Sequence, residues 1–383
     1  MRLLQVSPTV DPRSGGTAEC VRQLGLQLRK VGCDVDVLTL DDPKQAFVLE
    51  YPFTAIALGP SKGGYGYNAE LIPWLNANAR RYDALIVNGL WQYHGFAVWQ
   101  AARKLGVPYY VFPHGMLDPW FKRTYPIKHL KKWLYWPWAE YRVLRDARRV
   151  LFTSEEEQRL ASRSFWLYRV RGQVVPLGIN PPPADAARLK QQFLTSHPHL
   201  RGRRLLLFMS RIHEKKGCDL LIRAFAQAAP LDPALHLVVA GPDHSGLVAT
   251  LKELASQLGV IDRITWPGML QDDMKWGAFY SAEAFALPSH QENFGIAVTE
   301  AMACGLPVVI SNKINIWREI EADGAGFVAP DSLEGTTKNL RAWFDLDGEQ
   351  RLKMANCAAM SFQRRFTAVN SANSLLDVLR HSM

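Results

Sequence analysis

At 383 residues the chain is long for a single hydrophobic core, so two domains are expected. Its 48% hydrophobic and 21% charged residues are those of a globular protein and not of a disordered one. The net charge of +9, from 45 basic and 36 acidic residues, favours anionic partners: phosphates, acidic lipids or nucleic acid.

From the N-terminus, short apolar runs alternate with helical patterns, which predicts parallel strands, crossover helices and an α/β class. Residues 3–7 read as a strand that begins almost at Met1, which leaves no room for a signal peptide. A loop through Gly15 and Gly16 leads into a helix with Val21, Leu24, Leu28 and Val31 at helical spacing and Gly32 as C-cap. Further strands are expected at 35–40, 84–87, 109–112 and 150–152. Thr153-Ser154 before Glu155, Glu156 and Glu157 predicts a helix start, with acids at the positive end of the dipole. The stretch from Val174 to Pro183 breaks the rhythm, because consecutive prolines favour an extended linker. We therefore expect an N-terminal domain over 1–175, completed by a C-terminal helix at about 360–383, and a second domain over 176–360. Strands of the second series are expected at 205–209, 235–240, 264–266, 284–288, 307–310 and 326–328.

Cys20, Cys33, Cys218, Cys304 and Cys357 are scattered without a C-x-x-C pair, which predicts reduced thiols in a cytosolic protein. No apolar run approaches the roughly 20 residues that span a bilayer. The histidines and cysteines do not cluster at metal-ligand spacing, so neither a metal nor another cofactor is expected.

Glu292 and Glu300 bracket a segment that runs into Ala301-Met302-Ala303-Cys304-Gly305-Leu306-Pro307. The Phe294-Gly295 pair predicts a tight turn, which puts the first acid in a loop and the second inside the following helix. The turn would aim the backbone N–H groups of Phe294, Gly295 and Ile296 at a ligand, and such a helix N-terminus attracts phosphate. Arg211 and Lys216 follow the first strand of the second series, at the carboxyl end where open α/β sheets bind ligands. A planar guanidinium fork and a mobile ammonium suit one diphosphate. By itself this stretch also reads as a solvated basic loop.

Arg211 with Lys216-Gly217, the strand running into Gly241-Pro242-Asp243, the Glu292 to Glu300 segment and the Gly305-Leu306-Pro307 turn together resemble the retaining glycosyltransferases of family 4. Where that family commonly has Glu-Gly-Phe-Gly, this chain has Glu292-Asn293-Phe294-Gly295, and the turn glycine is kept. The resemblance spans nearly the whole chain and implies the GT-B architecture, two facing Rossmann-like domains with a cleft between them. It implies that Glu300 holds the nucleotide ribose, that Glu292 meets hydroxyls of the donor sugar, and that Phe294, Gly295 and Ile296 offer amides to sugar and phosphate. Carboxylates do accept paired hydrogen bonds from vicinal hydroxyls. Met269 and Leu270 are candidates for the base pocket. Gly15 and Gly16 match a glycine pair that faces the donor diphosphate in the family, and His114, between Pro113 and Gly115, matches a histidine that meets the donor sugar. We assign Glu292, His114, Arg211 and Lys216 as catalytic candidates and His94 to the acceptor side. Asp34-Val35-Asp36 has the acid-x-acid form that binds manganese in the other main glycosyltransferase fold, but it starts a strand and reads as structural.

The run from Trp120 to Trp138 interleaves aromatics with lysines, which suits a membrane interface. It also fits single-stranded nucleic acid, which we favour least, or a helix with its tryptophans turned into a core. On the membrane reading, Lys128, Lys131, Lys132, Trp133 and Trp136 face anionic lipid. The expected activity is transfer of a sugar from a nucleoside diphosphate donor, UDP- or GDP-linked, to a glycan or lipid-linked oligosaccharide acceptor in polysaccharide biosynthesis, at the cytoplasmic face of the membrane. The alternatives are a GT-B nucleotide-sugar epimerase or phosphorylase, or a non-enzymatic lipid- or nucleic-acid-binding protein.

Overall fold

The computed structural model describes residues 1–382, and the chain divides into two α/β units. One unit takes Met1–Asn180 and the chain from Thr367 onward; the other is Pro181–Phe366. The divisions therefore fall at 180 and 366 in place of the expected 175 and 360.

The first unit holds β1 (Arg2–Ser7), β2 (Asp34–Thr39), β3 (Ala55–Ala57), β4 (Ala84–Asn88), β5 (Tyr109–Phe112), β6 (Arg149–Phe152) and β7 (Gly172–Val174). They form one parallel sheet in the order β3-β2-β1-β4-β5-β6-β7. The central strands are continuous apolar runs, as burial on both faces requires. On one face Leu3, Val35, Ile86 and Leu151 pack in a single core with Leu375, Leu376 and Leu379 of the helix Ala368–Ser382. That helix is fastened at its start, where Ala368 N donates to the Ile179 carbonyl at 2.9 Å, and at its end, where the Tyr110 and Ser382 hydroxyls lie 2.7 Å apart. Residues 360–365 are not part of it. They end the helix Gly348–Arg365 of the other unit, where Arg364 and Arg365 pair with Asp323.

The second unit holds β8 (Arg204–Met209), β9 (Leu235–Ala240), β10 (Ile264–Gly268), β11 (Ala284–Leu287), β12 (Val308–Ser311) and β13 (Gly326–Ala329). The sheet is again parallel, in the order β10-β9-β8-β11-β12-β13. In both sheets the first strand in sequence lies inside, so the winding reverses between β1 and β4 and between β8 and β11. The loops that leave these strands diverge to opposite faces and open a crevice at their carboxyl ends, the usual ligand site of such sheets. Asp34 and Asp36 sit on β2, where Asp36 is buried and accepts from the Tyr82 hydroxyl at 2.8 Å and from Arg2 at 3.2 Å.

The sequence end is thus core material for the first unit. Leu379→Ala is expected to lower the unfolding free energy by about 2–5 kcal/mol, read as an earlier urea midpoint for the first unit while the second keeps its own.

Candidate functional site

The loops after β8 and β11, residues 210–217 and 288–295, are tied together by their backbones. His290 N donates to the Lys215 carbonyl at 2.8 Å, and the Ser289 hydroxyl donates to the same oxygen at 2.9 Å. Gly217 has φ of +66°, and a Cβ there would stand 2.3 Å from the Pro288 carbonyl oxygen, so no other residue allows this approach. The close approach brings Lys216, only 6% exposed, against Glu292, and its ammonium donates to the Glu292 carboxylate. A buried ammonium without a partner would be strongly destabilising, so the pair fixes both side chains. The Glu292 backbone is held from the other side, donating to Lys313 O at 2.9 Å and accepting from Asn315 N at 3.1 Å.

Gly295, with φ of +79°, caps the helix Ile296–Ala303. Among the described residues, the N–H groups of Phe294, Gly295 and Ile296 donate to no protein acceptor. They are fixed in place because the Phe294 side chain is buried edge-on against Phe366, with ring centroids 5.8 Å apart. Arg211 is exposed at the end of β8 and makes no hydrogen bond or ion pair among the described residues. Glu300 lies within the helix as expected, and its carboxylate is 2.8 Å from the ammonium of Lys275 on the helix Asp272–Ser281. The crevice thus combines three cations (Arg211, Lys216, Lys275), two carboxylates (Glu292, Glu300) and three N–H groups, a net positive set that suits a polyol carrying phosphate. Met269 and Leu270 follow the edge strand β10, separated from β8 by β9.

In the first unit, Gly15 has φ of +94° and caps the helix Gly16–Lys30 in the loop that leaves β1. His114 leaves β5 with φ of +49°, a left-handed conformation that costs a non-glycine residue of order 1 kcal/mol or more and is found at functional sites. Two contacts hold it there. Its Nε2 lies 3.1 Å from Asn88 Oδ1, and the next N–H, of Gly115, donates to the buried carboxylate of Glu157 at 2.5 Å. Glu157 also accepts from the N–H and hydroxyl of Thr153 at 2.6 and 2.7 Å. Burial pushes the His114 pKa down to about 4, so the ring is neutral at physiological pH.

His94 does not line an acceptor surface. It is fully buried in the first turn of the helix Tyr93–Leu105, with Nε2 3.0 Å from the Asn88 carbonyl, and burial pushes its pKa down to about 4. Its role is to brace Asn88, which in turn meets His114. Two of the five residues expected at a membrane are also internal. Trp136 is fully buried, stacked on Phe165 at 4.1 Å with its Nε1 donating to Leu167 O at 2.7 Å. Lys132 is half-buried, its ammonium 4.4 Å from the Trp91 ring centroid. Lys128, Lys131 and Trp133 are exposed.

Sequence reasoning missed Lys275, Asn88 and Glu157. Asn88 had a signal, a polar residue ending an apolar strand, and Glu157 had one in the Ser154-x-x-Glu157 helix start; Lys275 had none, because its partner is fixed only by tertiary packing. Among the described residues no group of three or more His, Cys, Asp or Glu converges as a metal would need.

Two family descriptions match the chain, "Glycosyl transferases group 1" over residues 190–359 and "Glycosyl transferase 4-like domain" over residues 15–178. The chain is 26% identical to a D-inositol 3-phosphate glycosyltransferase of Mycobacteroides abscessus, covering 98% of this chain and 87% of that one. With its namesake from Saccharomonospora viridis it shares 32% identity over 47% of this chain and 43% of that one. Among solved structures, Anabaena HepE in complex with UDP superposes with a TM-score of 0.80 at 19% identity, covering 100% of both chains. Sucrose-phosphate synthase of Thermosynechococcus elongatus gives 0.77 at 21%, over 100% of this chain and 98% of that one.

Three histidines make the fold sensitive to acid, His94, His114 and the buried His236, whose pKa burial also pushes down to about 4. Each binds its proton near pH 4 when folded against 6.5 for the free side chain, so between these values the unfolded state takes up protons that the folded state refuses. Stability is full above pH 6.5 and falls as the pH drops towards 4, by up to about 3 kcal/mol per histidine. Urea unfolding across this range is expected to show the decline, and His94→Gln to flatten it.

Proposed function

Because the chain belongs to the family 4 glycosyltransferases, enzymes of GT-B fold, we propose that it moves a sugar from a nucleoside diphosphate donor to a glycan acceptor with retention at the anomeric carbon. One observation carries this reading: the crevice at the β8 and β11 ends sets Lys216, Arg211 and three unpartnered amides beside the carboxylates of Glu292 and Glu300. In it, Glu300 holds the ribose hydroxyls and Glu292 the sugar hydroxyls, while the amides of Phe294, Gly295 and Ile296 face the diphosphate.

Lys216 has two anionic partners to choose between. Its ammonium is paired with Glu292; an arriving diphosphate competes for the ammonium and releases the carboxylate to the sugar hydroxyls. Donor binding then exchanges one ion pair for another, with no buried charge left alone. As the bond between the anomeric carbon and the diphosphate oxygen breaks, negative charge grows on that oxygen, where Arg211, Lys216 and the helix N-terminus stabilise it. The acceptor hydroxyl attacks from the same face and its proton passes to the departing phosphate oxygen. These groups supply the positive charge, and we propose that transfer needs no metal. Taken by itself, the first unit also carries groups suited to such a ligand: the helix N-terminus at Gly15 and Gly16 suits phosphate, and neutral His114, its Nε2 turned to Asn88, keeps Nδ1 as an acceptor that suits a hydroxyl. We place the reaction in polysaccharide biosynthesis at the cytoplasmic face of the membrane, on a lipid-linked acceptor.

Arg211→Ala is expected to lower kcat by about 100-fold or more without moving the thermal unfolding midpoint, since this side chain is exposed and makes no hydrogen bond or ion pair among the described residues. Glu292→Gln is expected to abolish transfer. Full activity of either variant, or a panel of UDP- and GDP-sugars that leaves the unfolding temperature unchanged, would remove the assignment.

A further inference from the structure

We propose that the outer face of the helix Pro126–Tyr135, with Trp138 and Trp166 beside it, is a docking surface for an anionic lipid bilayer. Amphipathic helices usually turn their apolar stripe inward; this one also carries a stripe outward. His129 and Trp136, seven residues apart and therefore on one side, are buried. Ile127, Leu130 and Leu134 form a second stripe at intervals of three and four, about half a turn round, and are 75%, 62% and 72% exposed. Trp138 and Trp166 are 69% and 64% exposed, and Trp133 stands 6.0 Å from Trp166, ring centroid to ring centroid. Bulky side chains held in water this way are an unexplained cost unless something covers them.

The charge pattern selects the occupant. Residues 119–138 hold five Lys and Arg and no Asp or Glu. Lys128 and Lys131 are exposed and, by helical spacing, lie along one side of the apolar stripe, with Trp133 on the other; Lys122 and Arg123 are exposed just before it. A second copy of this chain would set two such basic faces against each other, which repels. Anionic headgroups complement them, while Ile127, Leu130 and Leu134 enter the acyl boundary and the tryptophans settle at headgroup level. A helix of 10 residues is only about 15 Å long, so it lies in the plane of the interface. Among the described residues no helix is long and apolar enough to cross a membrane. The surface excludes Lys132 and Trp136, which the domain interior uses. It goes beyond the transfer reaction, because lipid would bind whichever sugar is moved.

The test is flotation of the full chain with vesicles of phosphatidylglycerol and phosphatidylcholine, against phosphatidylcholine alone, without any nucleotide. Binding to the anionic vesicles is expected, weakening with added salt, and little binding to the neutral ones. Lys128→Gln with Lys131→Gln should reduce vesicle partition roughly 30-fold. Leu130→Glu with Leu134→Glu should abolish it, while both double variants keep the wild-type unfolding temperature and its shift with UDP. The proposal is overturned by failure to float, by equal flotation of the Glu variant, by a dimer in solution that the Glu variant dissolves, or by binding of single-stranded DNA in place of vesicles. Loss of transfer in Arg211→Ala with flotation intact would leave the surface standing even if the donor site were misassigned.

Discussion

The burial of one ammonium group organises the second unit. Lys216 is almost out of solvent, and a lone charge there is not tolerated. Glu292 must therefore come to it, which requires the loop after β11 to lie on the loop after β8 with only a glycine, Gly217, between their backbones. Once that contact is made, much follows from covalent geometry. Phe294 reaches its place against Phe366, Gly295 turns left-handed, and the helix Ile296–Ala303 starts with its N–H groups open. The pair is thus structural, and on the proposed reading the same two groups meet the diphosphate and the sugar of the donor.

Much of this was legible before any coordinates. Strands buried on both faces announce themselves as continuous apolar runs, and the central strands of each sheet fall within a residue or two of the expected spans. The tight turn at Phe294-Gly295 separated a loop carboxylate from a helical one correctly. By contrast β3 and β7 have three residues each and lie at the sheet edges, too short and half-exposed to show a pattern. The join of Lys216 to Glu292 spans 76 positions, and nothing local encodes it. The aromatic and basic run allowed either an outward face or a helix with its tryptophans turned into a core, and the structure divides it, with Trp136 buried and Trp133 and Trp138 exposed. Trp136 stands seven residues from His129, and that interval already placed both on a single, inward side.

In the first unit the same logic runs through neutral groups. His94, Asn88 and His114 make a chain in which a buried imidazole steadies an amide, and the amide steadies a second imidazole held in a strained conformation. Glu157 fixes the following peptide from beneath. Strain of this kind persists only where its surroundings over-determine it. The residues that do so lie on three elements: β4, the helix from Tyr93 and the helix from Glu155. His94, expected from sequence on the acceptor side, is instead a buried brace for Asn88.

The helix Ala368–Ser382 has a consequence for how the protein is made. It is synthesised after the other unit, yet its leucines fill the core of the unit begun first. The Pro181–Phe366 unit is continuous in sequence and is inserted whole between that helix and the strands it covers. On the ribosome the first unit therefore waits through synthesis of the whole second unit, its apolar sheet face partly bare, until residues 368–382 emerge. Contacts of that sequence separation form slowly, so the insertion lengthens the time for which apolar surface of the first unit stays exposed.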